Sequence, residues 1–513
     1  MTGRIIVGPV LGFRGSKEGR WYTSALLVLA DNATPPQLTF TVGGFQANAV
    51  AVLLKTFAGS YVWRLDWWVA QTNSEQIVTY AVNNGTAYQY LVPELNKPLR
   101  ICYGSCFGVH TLQDVNKLRN KNAMWKVLAR VHQEKPYHLF FLGGDQVYSD
   151  QVWEMVPALR NWLSKKLKKR VQAPFTPEME QEVASFYFNL YTRMWSQKQP
   201  AAILSQIPTL MMWDDHDIFD GWGSYVPEQQ ECPVFKGIYY QAREHFRLFQ
   251  LQTNTDGVIG ELALLGKSGY TFAHRMGDLA LVALDLRSER TQNQVTSPES
   301  WDSLQTWLDE AIREKLLPDG TPQKACKHLL VLSGIPVVNA DLTLLETALN
   351  IRPGQQRMED DLKDQWLSRA HQQERLRLIR GLLKFSQESG CRVTLVSGDA
   401  HVAFTGFIQS EPEANTGAEP LVINQLTSSA MVNLPPPTLV VYMMEKLLAG
   451  KVEVLDQGIT ARLLKFPGTN RRIIGARNWL SLTLDEQPSI HAEWYVEGEE
   501  KPFAKVIPPI NVK

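Results

Sequence analysis

The sequence carries no excess charge of either sign. Lys+Arg and Asp+Glu both count 52 over 513 residues, so no global charge draws the chain to nucleic acid or to anionic lipid. Cysteine is scarce: Cys102, Cys106, Cys232, Cys326 and Cys391 are the full set. So few thiols in so long a chain build no disulfide framework, and their odd number points to a reducing compartment. No apolar run approaches the ~18 residues that a membrane-spanning helix needs. Met1–Arg20 lacks an apolar core and a cleavage site of the secretory kind, and the resulting expectation is a cytoplasmic protein. Internal repeats and low-complexity segments are also missing, and the basic run Lys165–Arg170 reads as a solvated helix face. What remains is a globular composition, 44% hydrophobic and 20% charged, long enough for more than one packing unit.

Texture divides the chain near residue 97. Before it, short runs rich in Val, Thr, Tyr and Trp recur at Ile5–Val10, Trp21–Leu29, Gln37–Val42, Tyr61–Ala70, Gln76–Val82 and Thr86–Leu91. Gly, Asn and Pro punctuate them, which predicts an all-β sandwich of about seven strands over residues 1–97. That segment holds no cluster of ligands or nucleophiles. From 98 to 513 the pattern becomes apolar runs too short for helices: Leu99–Tyr103, Leu139–Leu142, Leu210–Trp213, Leu279–Leu284, His328–Leu332 and Val393–Val396. Such runs are strands buried on both faces. Between them, Asp114–Gln133, Met179–Ser196, Tyr239–Phe249, Trp301–Lys315 and Gln356–Ser389 have helical periodicity. Alternating strand and helix predict an α/β domain, with Trp479–Leu484 and His491–Val496 extending the same sheet.

In open α/β sheets the ligand site lies beyond the carboxyl ends of the strands. The residues found there are Gly104–Cys106, Gly143–Tyr148, Asp214–Asp220, Asp285–Arg287, Ser333–Gly334 and Gly398–His401. Carboxylates, imidazoles and a thiol thus converge on one edge, and like charges crowded together call for a cation. Asp suits hard cations, His suits first-row metals, and thiolate or phenolate suits a strong Lewis acid. In such a site the ions lower the pKa of a bound water, and the hydroxide attacks phosphorus in line. Asp399 and His401, separated by Ala400, are expected in extended geometry with both side chains to one side.

The set Gly104-Ser-Cys106, Gly144-Asp-x-x-Tyr148, Trp213-Asp-Asp-His-Asp217 and Ser397-Gly-Asp-Ala-His401 resembles the alkaline phosphatase D (PhoD-like) family of metallophosphoesterases. Leu284-Asp-Leu-Arg287, Asp364-x-Trp366 and Glu374-Arg375 add to the match, which runs from about residue 99 to 430 in the family's order. The resemblance implies a four-layer αββα sandwich preceded by a β-sandwich domain. It also implies Fe(III) with one or two divalent ions, calcium among them. Cys106 and Tyr187 would be iron ligands, with Tyr191 competing for the Tyr187 position and Asp145 near or bridging the iron. Asp399 and His401 would be ligands from the last strand, Asp215 a ligand from the Asp-Asp-His segment, and His216 a neighbour of the phosphate. Where the family has Asn-Asn, this chain has Asp220–Gly221, which puts Asp220 in a ligand position with added negative charge. The implied activity is hydrolysis of small-molecule phosphate mono- or diesters, with His216 as general acid beside Asp145 and Asp399.

Blander readings compete at several positions. Cys102 sits inside a strand and is expected in the core. Asp214 or Asp217 is expected to cap a helical turn. Asp285 and Arg287 form either an internal ion pair or a phosphate contact, while Asp364, Trp366, Glu374 and Arg375 brace the site. His110, His132, His245, His274, His328, His371 and His491 have no ligand-like company in sequence. Leu439–Leu448 reads as a core helix rather than a membrane contact. Val226–Lys236, Asn339–Glu359 and Pro435–Thr460 are the segments expected to set specificity. The alternative function is a non-catalytic binding protein on a degenerate phosphoesterase site. Carboxylic ester hydrolysis ranks last, because no Gly-x-Ser-x-Gly elbow stands at a strand end. Nothing in the sequence indicates an oligomeric state.

Overall fold

Six of the short apolar runs form parallel strands, three in each of two large sheets. Arg100–Gly104, Leu139–Gly143 and Thr209–Met212 are parallel neighbours inside a ten-stranded sheet. Leu279–Leu284, His328–Ser333 and Arg392–Ser397 are parallel neighbours in a nine-stranded sheet. The protein is thus a mixed α/β fold. The coordinates are a computed structural model describing residues 3–31, 34–95, 97, 99–118, 120–254, 264–266, 268–316, 322–323, 325–338, 366, 371–411, 420–448 and 450–510.

The second sheet shows why its strands read as unbroken apolar runs. Leu281, Leu330 and Leu332 join the core that also holds Phe140 and Leu142 of the first sheet. Their alternates Val282, Leu329 and Val331 enter a separate core with Leu304 and Leu308 of helix Pro298–Ala311 and Leu378 and Leu382 of helix Gln372–Ser389. Successive side chains point to opposite faces, and both faces are covered, so neither needs polar residues.

The N-terminal segment departs from an isolated sandwich in one respect. Leu38–Val42, Phe45–Asn48, Gln76–Val82 and Ala87–Val92 make a four-stranded sheet of their own. Arg4–Lys17, Arg20–Ala30, Val50–Phe57 and Ser60–Ala70, however, continue the ten-stranded sheet, because Gly12 pairs in parallel with Thr209. The two groups meet through Phe40, Trp67 and Tyr80, with Trp67 6.0 Å from Phe40 and 5.9 Å from Tyr80. Hydrogen bonding therefore runs across the change in sequence texture.

The helices follow their periodicity with local breaks. The stretch 114–133 forms two helices, Leu112–Lys117 and Ala123–Glu134, divided by an Asn-rich turn. Pro177–Trp195 starts at Thr176, whose hydroxyl accepts from Met179 N, an N-cap that satisfies an orphan donor. Gln372–Ser389 ends at Gly390, in the left-handed conformation that glycine adopts without a Cβ penalty. Asn478–Leu484 pairs with Arg100–Gly104, and Ile490–Val496 pairs with Asn478–Leu484, so both extend the ten-stranded sheet, as expected. Thr438–Met443 is helical, with Val440, Val441 and Met443 against the second core and Leu439 and Tyr442 exposed. Asn339–Glu359, and residues 356–365 (Asp364 among them) and 367–370 of the expected Gln356–Ser389 helix, lie outside the described residues.

Candidate metal centre

The carboxyl ends of the parallel strands turn sharply. Gly144 has φ +110°, and a Cβ there would stand 2.6 Å from Asp214 Cβ. Gly334, after the strand His328–Ser333, leaves room for the same residue, since its Cβ would meet Asp214 Oδ2 at 2.7 Å. Only glycine lets the two sheets close on Asp214 from both sides. Cys106, Asp145, Asp399 and His401 all have φ between 51° and 61°, a conformation that costs non-glycine residues energy and concentrates at functional sites. The extended geometry expected of Asp399 and His401 is therefore replaced by a turn after Ser397.

Asp217 holds this edge together. Its Oδ2 accepts from the backbone N–H of Asp145 (2.8 Å) and Asp214 (2.9 Å), and its Oδ1 from Val147 N (3.1 Å) and Gln250 Nε2 (3.0 Å). Asp214 in turn accepts from Asp215 N, so both expected caps form around the turn Asp215–Asp217. Arg287 is fully buried and pairs through Nε with Asp214 and through Nη2 with Asp215, 3.3 Å away. The ion pair of Arg287 is thus with these two aspartates. Asp285 instead accepts from Trp213 Nε1 (2.9 Å) and Tyr270 N (2.8 Å). Glu374, bonded to Val295 N and Thr296 N, and Arg375, bonded to Val337 O and Glu453, brace the neighbouring loops. Trp366 donates to Ser333 Oγ at 3.3 Å.

On this scaffold the ligand atoms of Asp145, Asp215 and His216 lie within 4.8 Å of one another, and so do those of Asp214, Asp215 and Asp399. A third group, His110, Asp150 and His216, adjoins them. Cys106 Sγ donates to Asp145 Oδ2 at 3.3 Å, and Ser429 Oγ donates to Cys106 Sγ at 3.1 Å. The Tyr148 hydroxyl donates to the same Asp145 oxygen at 3.3 Å, and its oxygen is 3.3 Å from His401 Nε2. Asp145 Oδ1 is buried with no hydrogen-bond partner. A buried carboxylate oxygen left this way is costly, and a cation among these carboxylates and imidazoles removes the cost. The donor set fits metal ions.

The electrostatics agree. Burial, then the charges of Asp215, Asp214 and Asp217, push the Asp145 carboxyl well up against the pull of His216. Burial likewise raises the Cys106 thiol and the Tyr148 phenol, with Asp145 adding to each. Burial would also raise Asp215, but Arg287, then His216, then the Gly221 N–H hold it well down. Burial pulls His216 down, and the carboxylates of Asp150, Asp215 and Asp145 outweigh it, leaving the ring protonated well above the usual range. His401 is pushed down to about 3 by burial and by the positive neighbours His110 and His216, so it is neutral and able to bind a metal.

Not every expected residue reaches the centre. The Tyr187 hydroxyl donates to the Ile218 carbonyl, and Tyr191 accepts from Gln250 Nε2 at 2.8 Å. The phenol beside Asp145 is that of Tyr148, whose place three residues after Asp145 was the available signal. Asp220 gives its backbone N–H to Asp150 Oδ1 (2.9 Å) and is absent from the three ligand groups. Two contributors escaped the sequence reading. Asp150 holds His216 Nδ1 at 2.9 Å, and His110 lies with its ring 4.4 Å from that of His216. His110 therefore does have ligand-like company, because the loop after Arg100–Gly104 folds back over the strand ends. The other histidines fit the bland reading: burial pushes His132, His245, His274 and His328 down to about 4.

A structure titled "Structure of PhoD" shares this fold, with TM-score 0.54 at 12% identity over 97% of this chain and 88% of that chain. The purple acid phosphatase PPD1 from yellow lupin (Lupinus luteus) seeds aligns with TM-score 0.49 at 12% identity, over 98% of this chain and 74% of that chain. The class is a metal-dependent phosphoesterase. The chain belongs to the PhoD related phosphatase family, which matches residues 70–352 and 337–454. The uncharacterized protein YGR266W of Saccharomyces cerevisiae is 26% identical over 535 aligned residues, covering 86% of this chain and 75% of its own.

Proposed function

We propose that the protein hydrolyses small-molecule phosphate mono- or diesters at the Asp145–His216–Asp399 edge. The observation that carries this reading is the convergence of Asp145, Asp215 and His216 within 4.8 Å around a partnerless carboxylate oxygen. Asp145, Asp215, Asp399, His401 and Cys106, with Tyr148 beside them, would hold the ions, Fe(III) and a divalent ion such as calcium. Bound there, the ions would supply Lewis acidity for activating water and neutralising charge at phosphorus. The chain's own part is positional. Asp150 accepts from Nδ1 of the His216 imidazole, so the protonated ring would present its other N–H to a phosphoryl oxygen or a leaving group. Arg287 offsets the charge of Asp214 and Asp215 from behind. We further read residues 98–513 as a four-layer αββα catalytic unit whose ten-stranded sheet also takes in strands of the β domain of residues 1–97, and the cytoplasm as its compartment.

A chromogenic phosphate monoester and diester, offered to metal-stripped and to iron- and calcium-restored protein, test the reading. Turnover is expected only after restoration and is expected to vanish in Asp145→Asn and Asp399→Asn. Turnover in either variant at the wild-type rate would reject the site.

A further inference from the structure

The loop after the strand Leu421–Thr427 closes over Cys106. Met431 N donates to Ser105 O at 2.9 Å, and Val432 N and Asn433 N donate to Cys106 O at 3.1 and 3.2 Å. Asn478, at the start of the strand Asn478–Leu484, anchors the same loop. Its backbone N–H donates to Ala430 O (2.9 Å), its Nδ2 to Ser429 O (2.6 Å), and its Oδ1 accepts from Ser428 Oγ (2.6 Å).

The side chain placed by these bonds is that of Ser429, which is fully buried. Its oxygen accepts from His401 N at 3.3 Å, and its hydroxyl donates to Cys106 Sγ at 3.1 Å. One hydroxyl therefore joins the turn after the first sheet's Arg100–Gly104 to the turn after the second sheet's Arg392–Ser397. Cys106, Tyr148 and Ala430 pack there as a small buried cluster, which shields the contact from solvent. A neutral thiol is a weak acceptor, whereas a hydrogen bond to an ionised group is roughly twice as strong as one between neutral groups. The contact thus suits a thiolate, the form in which cysteine binds a metal.

We propose that Ser429 is a positioning residue for the metal centre: its hydroxyl fixes the Cys106 sulfur and draws charge from it toward the hydrogen bond. Hydrogen bonds to a coordinating sulfur orient it and tune the metal. The charge withheld by the sulfur leaves the ion a stronger Lewis acid, the property that phosphoester hydrolysis uses. This role depends on Cys106 holding iron(III), as the proposed function has it.

Full-length protein loaded with iron(III) alone is the sample, and its sulfur-to-iron charge-transfer absorption is the readout. In Ser429→Ala the band is expected to move to longer wavelength and the Fe(III)/Fe(II) potential to fall, because the sulfur then gives the ion more charge. Iron(III) affinity is expected to drop about 10-fold, as for loss of other groups that orient a metal ligand. Ser429→Thr keeps the hydroxyl and is expected to keep the wild-type band and potential, with a thermal melt confirming that each variant folds. A serine that only braces the loop would alter affinity or melting and leave the band where it is. Wild type loaded with iron in heavy water gives a reading without any variant, since deuterium on the hydroxyl is expected to shift the iron–sulfur stretch in the resonance Raman spectrum. An unmoved band and potential in folded Ser429→Ala, an equal move in Ser429→Thr, or no deuterium shift would each overturn the proposal. Wild type that binds iron(III) with no sulfur band would overturn the Cys106 assignment along with it, whereas a failure to hydrolyse phosphate esters alters none of these spectra.

Discussion

Asp150 Oδ2 and His216 Nδ1 lie 2.9 Å apart, and both side chains are almost fully buried. This contact chooses which imidazole nitrogen is left for the centre, and it supplies the first of the charges that keep the ring protonated. Asp150 also accepts the Asp220 N–H at 2.9 Å, which ties the loop after Asp217 to the same carboxylate.

Asp150→Asn keeps the shape and removes the charge. The expected result in metal-restored protein is a fall in kcat of about 10²-fold with a smaller change in KM, the range for a lost general acid. Steady-state kinetics on a phosphate ester check it. An unchanged kcat would assign Asp150 to the loop alone.

Asp217 is the aspartate whose role is structural, since four N–H donors from three separate segments end on its two oxygens. Asp217→Ala leaves those donors buried without an acceptor, and a loss of about 3 kcal/mol is expected. Chemical denaturation of the metal-stripped protein measures this without reference to activity. A loss below about 1 kcal/mol would mean that the turn Asp215–Asp217 holds itself.

What could be read from the sequence follows from what an apolar run announces. The strands ending at Gly104, Gly143, Met212 and Ser397 were visible as runs, and the polar residues just after them gave Cys106, Asp145, Asp215 and Asp399. His110 and Asp150 were not visible in this way, because they lie further along loops whose return path depends on packing. The Tyr187 and Tyr191 expectation, which came from the resemblance, left Tyr148 unweighed for the same reason: only the fold puts the Tyr148 hydroxyl on Asp145 and that of Tyr187 on Ile218 O. The continuity of the N-terminal strands with the ten-stranded sheet rests on a single parallel register, Gly12 against Thr209, which local patterning does not encode.

Glu75 gives a pH test far from the centre. Its carboxylate takes a hydrogen bond from His138 Nε2 (2.7 Å) and another from Arg100 Nη2 (2.5 Å). His138 is neutral here, because its Nδ1 accepts from the Arg100 backbone N–H at 3.0 Å and burial pushes its pKa down. The hydrogen bond from His138 leads in pulling Glu75 from 4.5 down to about 2, burial opposes it, and Arg100 adds to the pull. A carboxyl lowered on folding stabilises the native state above its unfolded pKa, and that stability fades as pH falls from 4.5 toward 2. Glu75→Gln is therefore expected to cost about 1 kcal/mol at pH 7, after allowance for the partial exposure of the pair. The gap between variant and wild type closes as acid is added. Denaturation curves at pH 7 and pH 3 compare them, and a gap that widens in acid would contradict the assignment.

Asp145 separates what the metal does from what the fold does. Its carboxyl is buried among Asp214, Asp215 and Asp217, and its Oδ1 has no hydrogen-bond partner. Its Oδ2 already satisfies Cys106 and Tyr148. In metal-stripped protein, Asp145→Asn removes a repelled buried charge while the amide oxygen keeps accepting from those two donors. A gain of about 1–2 kcal/mol is expected there, since an uncompensated buried charge costs more than a neutral amide of the same shape. With metal added the order reverses. Wild type gains stability by binding, in proportion to the logarithm of metal concentration over Kd, and the asparagine variant, short of one anionic ligand, gains little. Thermal melts of both proteins with chelator and with iron or calcium decide the matter. A variant less stable than wild type in chelator would show that Asp145 earns its place through hydrogen bonds, and the case for a cation at that carboxylate would fall.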